Sequence, residues 1–161
     1  MRKQFSLILG MLMFSIGVLA QNSNVKLNND EIIIPLNSEF KINVEINKDK
    51  LDNFKIINQS EVSEPIDMMK ALENVEKKDT IANEINFKFC YADFMGSKLV
   101  VLTTVHHLEN SIIFKAKIKI KGRTDYIETS IVDKHPNVYS IEQWQDEIET
   151  IILYDFQIID K

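Results

Sequence analysis

Histidines 106 and 107 stand side by side in TTVHHLEN (residues 103 to 110), and with His135 and Cys90 they form the chain's whole stock of imidazole and thiolate metal ligands. A zinc site needs three or four converging ligands. On an extended strand, consecutive side chains leave on opposite faces, so His106 and His107 diverge and cannot chelate one ion together. His135, ahead of Pro136, and Cys90 add no recognisable ligand spacing. The sequence therefore implies no metal and no cofactor. Cys90, alone on a candidate strand, reads as a small buried hydrophobe rather than an activated thiol.

Oxygen chemistry is no better supported. Asn47, Asp49 and Asp52 crowd the loop NKDKLDN, but the alternating ligands, glycine and terminal glutamate of an EF-hand are missing, which leaves a solvated hairpin loop. Asp125 with Glu128, or Asp146, Glu147 and Glu149, could supply a carboxylate pair for a hydrolase. No G-x-S-x-G, H-E-x-x-H, C-x-x-C or phosphate loop is present. No catalytic residue is assigned, and an enzyme is not the expected class.

Three features could bind rather than react. Lys115, Lys117, Lys119 and Lys121 alternate in KAKIKIK, a row pitched at about 7 Å that could meet an anionic glycan or phosphates. It could equally be a solvated face paired with acids such as Glu128. Trp144, in SIEQWQDE, could stack on a sugar or anchor a partner, or plug the core with its ring N–H bonded. In the last apolar run, Ile148, Ile152, Tyr154, Phe156 and Ile158 form one face, and Ile151, Leu153 and Ile159 form the other. Something must cover the second face, so Ile151 and Leu153 join the four lysines and Trp144 as the candidate binding surface.

The elements that must position these residues have a period of two. EIIIPL (31 to 36), EFKINVEI (39 to 46), NFKIIN (53 to 58), INFKFCYADF (85 to 94), SKLVVLTTVHH (97 to 107), SIIFKAKIKIK (111 to 121), DYIETSIV (125 to 132) and EIETIILYDFQII (147 to 159) are eight candidate strands. Met95-Gly96-Ser97, Glu109-Asn110 and Gly122-Arg123 are placed as hairpin turns, and Pro35 as an edge or strand break. Residues 64 to 78 carry Ile66, Met69, Leu72 and Val75 three apart behind Pro65, which predicts one short amphipathic helix that could cover the last strand. With no βαβ alternation, the fold expected is an antiparallel β-sandwich of seven or eight strands, of which the immunoglobulin-like arrangement is one form. A lipocalin-like barrel is the alternative.

At the N-terminus, Arg2 and Lys3 precede a fifteen-residue apolar run ending at Val18-Leu19-Ala20, the pattern of a cleaved secretory signal peptide. Its run is short for a bilayer span, and no later stretch is longer. Residues 21 to 30 (QNSNVKLNND) are read as a flexible lead-in, and residues 31 to 161 as a single domain. Without the leader the chain keeps 17 basic and 24 acidic side chains. That excess of acid disfavours nucleic acid and anionic lipid as general partners. With one cysteine and no intrachain disulfide, an exported chain must hold together by packing.

Asp79-Thr80-Ile81 resembles the Asp-Thr-aliphatic O-glycosylation acceptors of secreted Bacteroidota proteins, whose Ala-Gln leader junction and Lys/Ile/Asn-rich composition this chain shares. The resemblance implies a sugar on Thr80. The functional expectation is a secreted or periplasmic, non-catalytic binding or interaction module for an unknown protein or glycan. The alternatives are a barrel carrying a small apolar ligand and a carboxylate-dependent hydrolase.

Overall fold

The computed structural model describes residues 24–73 and 83–159, with residues 71–73 described in backbone only. The leader, the Asp79-Thr80-Ile81 motif and the end of the expected helix lie outside them. The elements are β1 (Lys26–Asn28), β2 (Glu31–Pro35), β3 (Ser38–Asn47), β4 (Lys50–Glu61), β5 (Ile66–Asp67), α1 (Met68–Glu73), β6 (Glu84–Phe94), β7 (Ser97–His106), β8 (Ser111–Ile120), β9 (Ile127–Thr129), β10 (Ser140–Trp144) and β11 (Ile148–Ile159). All strand pairs are antiparallel except β5 beside β6. No helix among the described residues is long and apolar enough to cross a membrane.

Strands pair in the order β1-β2-β11-β4-β3-β6-β7-β10, with β8 on the other flank of β11 and β9 beyond β8. The outer strands β1 and β10 do not pair, so the sheet is not closed into a barrel. Between β11 and β4 the register holds one pair, Gln157 with Lys50. At that narrow joint the sheet doubles over into two facing leaves, β4-β3-β6-β7-β10 and β1-β2-β11-β8-β9. A chain of phenylalanine rings spans the space between them. Phe40 stacks on Phe87 at 5.1 Å, Phe87 meets Phe114 edge-on at 5.9 Å, and Phe114 and Phe54 each lie 4.9 Å from Phe156. These rings come from both leaves, and their burial with Ile32, Ile34, Ile42 and Leu102 supplies the main driving force for the sandwich.

The two-residue period sets most of this. Along β3, Phe40, Ile42 and Val44 are buried while Glu39 and Lys41 point to the wetter side. The β6–β7 hairpin closes through Met95 and Gly96, both left-handed (φ 50° and 82°), which suits the right-handed twist of a two-residue turn.

Several expectations are corrected. Lys26–Asn28, placed in the flexible lead-in, form β1 and pair with β2. The short strands β5 and β10 were not expected, and only Ile127–Thr129 of residues 125 to 132 are strand. Glu109-Asn110 is not a hairpin turn: β7 belongs to one leaf and β8 to the other, so the connection crosses between leaves. The helix starts at Met68, capped by the Asp67 carboxylate, which accepts the Met69 and Lys70 N–H groups at 3.1 and 3.2 Å. Met68 rather than Met69 faces inward (6% against 49% exposed). Met68 covers Cys90, Ala92 and Val101 on the outer face of β6 and β7, not the last strand.

The last strand needs no such cover. Its pairing with β8 slips between Ile148 and Thr150 and again between Tyr154 and Gln157, and Asp155 is left-handed (φ 54°). Each bulge inserts a residue and inverts the alternation beyond it. Ile148, Ile151, Leu153 and Phe156 therefore all point into the core.

Candidate functional site

The lysine row lies where its period placed it, along β8, but each ammonium already has a neighbour. Lys115 bonds Asp155 at 2.8 Å, Lys119 faces Glu149 at 3.5 Å and Lys121 bonds Glu147 at 2.9 Å. Lys117 sits 4.4 Å over the Tyr154 ring and opposite Glu128 in the register. Tyr154 in turn donates its hydroxyl to Glu128 at 2.6 Å, which pushes the phenol up to about 12. The hydrogen bond from Lys121 holds the Glu147 carboxyl below its ordinary range, and the bond from Lys115 does the same for Asp155. Four cations and four carboxylates thus alternate across this face. An anionic ligand would have to displace an acid at Lys115, Lys119 and Lys121.

Of the carboxylates proposed for hydrolysis, Asp125, Glu128, Glu147 and Glu149 are engaged in the same way. Asp125 is tied to Arg123 at 3.2 Å and held low by that bond, and Glu147 is held low by Lys121. A general acid needs the opposite shift. Cys90 is fully buried, and desolvation pushes its thiol up to about 11, against nucleophilic use.

Ile151 and Leu153 are fully buried, so neither is available at the surface. Trp144 is half-buried against the core, and its ring N–H donates to the Thr129 hydroxyl at 3.0 Å. Because β10 and β9 are the outer strands of opposite leaves, this bond clasps one open side of the sandwich.

A second clasp lies beside it, one that no motif or periodicity announces. Lys134, in the segment between β9 and β10, is 1% exposed. Its ammonium pairs with Glu142 of β10 and sits 5.7 Å from the centre of the Phe114 ring. Glu142 also accepts the Val132 N–H at 3.0 Å. The Lys134 backbone exchanges two hydrogen bonds with Ile112 at the start of β8 (2.8 and 2.9 Å). Residues 134–137 thus form a strap across the gap where β7 ends and β8 begins.

All three histidines hold this strap. His106 is fully buried, and its Nε2–H donates to the Lys134 carbonyl at 2.9 Å. That carbonyl requires a donor, which fixes the neutral Nε2–H tautomer. Nδ1 is buried without a partner, as is the hydroxyl of Thr104 two residues earlier on the same strand. His107 Nδ1–H donates to the Asn137 side-chain carbonyl, and Ser111 and His135 share a bond of 2.8 Å. The Asn137 N–H donates to the His106 carbonyl at 2.9 Å. His106 ends β7 and His107 follows it, and the two rings bond different residues of one segment. Among the described residues no three histidine, cysteine or acidic side chains are grouped to hold a metal.

The remaining feature is an open edge. Beyond Lys50, β4 pairs only with β3 among the described residues, and Ile57 to Glu61 are all exposed. Against β3 it carries two irregularities, one at Ile57 and one between Asp52 and Lys55, where Asn53 is left-handed (φ 50°). The stretch Asn58–Glu61 is regular. No family model, curated protein or solved structure matches the chain.

Proposed function

We propose that this is an exported, non-catalytic β-sandwich interaction module that takes an extended segment of a partner protein as an added strand on β4. The observation that carries the reading is the exposed run from Ile57 to Glu61, which lies against β3 on one edge and against no described strand on the other. Unsatisfied main-chain donors and acceptors at a sheet edge are a template for another strand. The bulges in the same strand limit regular pairing to a short stretch, which suits a short peptide and opposes zipping of long edges. The lysine face and the last strand support binding less well, since one is neutralised in pairs and the other buried.

A photo-crosslinking residue at Ile57, compared with one at Lys119, tests this in the native exported fraction. Strand addition gives adducts at position 57 that are absent at 119. Adducts at 119 alone would move the binding surface to the lysine face, and none at 57 would end the β4 proposal. Mass spectrometry of the mature N-terminus tests export, with Gln21 the expected first residue.

A further inference from the structure

We propose that the strap at residues 134–137 is an acid-released latch, closed when His106 is neutral and opened when it takes a proton. The strap's hold on the β7–β8 crossover depends on a histidine that must stay uncharged. His106 already uses its one N–H on the Lys134 carbonyl, and a second proton would go to Nδ1, which is buried with no hydrogen-bond partner. Burial lowers the basicity of His106, against a smaller opposing pull from its bond to Lys134, and His107 and His135 nearby disfavour a further charge.

The charged groups around it do not relieve the problem. On the strap, the Lys134 ammonium is itself a cation, and its countercharge, Glu142 of β10, is committed to it. Exposed Asp133 flanks Lys134 on the solvent side, and exposed Glu109 lies in the crossover after His107. On β6, Ile85 is opposite His106, and the neighbouring Glu84 is bonded to Lys41 at 2.9 Å. Ser111 and Ile112 of β8 bring no charge. The cheapest way to accept the proton is to let the strap go, exposing the ring to water.

The sign follows from linkage. His106 binds protons less well in the closed state than when released, so closure is favoured above the ordinary imidazole value and is lost as pH falls below it. With a released value of about 6.5 and a lower one while closed, moving from pH 7.5 to 5.5 raises the open population by as much as about tenfold.

Hydrogen exchange of the full chain at pH 7.5 and 5.5, corrected for the intrinsic pH dependence of exchange, reads this directly. The expected result is about a tenfold loss of protection for the Lys134 and Asn137 amides, with β3 and β6 unchanged. In His106→Gln, whose side-chain N–H can still reach the Lys134 carbonyl without titrating, protection becomes independent of pH. Equal protection of the wild-type strap at both values overturns the latch, and so does a wild-type response in His106→Gln. Should that variant not fold, the pH titration of the His106 ring by NMR in the wild-type chain decides. A ring that titrates at the ordinary imidazole value without any change in the strap refutes the proposal.

Discussion

Replacing Glu142 by Leu should be the most damaging single change on the strap side of the sandwich. The ammonium of Lys134 is 1% exposed, and the Glu142 side chain is 13% exposed. Removing the carboxylate strands a cation in the interior, which costs about 3–5 kcal/mol. Lys134→Met keeps an apolar stem against Phe114 and leaves a carboxylate that water can reach, so it should cost less, about 1–3 kcal/mol. With both replaced, the charges vanish together, and the double variant should lie within about 2 kcal/mol of the parent. Urea unfolding of the four chains gives the coupling directly. At an m-value of about 1.5–2 kcal/mol/M for a domain of this size, the Glu142→Leu midpoint should fall by roughly 2 M, and the double variant should recover most of it. A coupling below about 1 kcal/mol would match a solvent-exposed pair and refute the buried clasp.

Three further outcomes follow from the same geometry. Phe114→Ala removes the ring that joins Phe87 to Phe156 across the two leaves and should cost about 3–5 kcal/mol by thermal or urea unfolding. Trp144→Phe keeps the packing but loses the bond to Thr129, and should destabilise by about 1 kcal/mol in the same measurement. Cys90 should resist a thiol reagent at neutral pH in the native chain and react fully in denaturant, because its thiol is buried and pushed up to about 11; rapid native labelling would contradict its placement.

The antiparallel strands were legible because burying one face of a strand forces every second residue to be apolar, as Phe40, Ile42 and Val44 do. Met95-Gly96 was legible because a tight turn has few chemical solutions. The last strand was misread because its two bulges invert the alternation, and Asp155, the left-handed residue at one of them, is not a glycine that would have announced it. The helix was misread because Ile66, taken as the first apolar position of its face, lies in β5 ahead of the Asp67 cap, and Met68 is the helical residue that faces inward. Lys134 could not have been found: its burial depends on Glu142 and Phe114, eight and twenty residues away, and lysine in a polar loop signals solvent. The role of the histidine pair was not legible, because the segment that gathers both belongs to a distant part of the chain.

The side of the sandwich between β9 and β10 is fastened by an ion pair and a tryptophan hydrogen bond, in a chain whose one cysteine is buried and has no second thiol to bridge to. Reductants therefore have nothing to cut in this molecule. Its seam answers to protons and counter-ions, so the same chain would keep its shape on either side of a redox boundary and register instead a change in acidity.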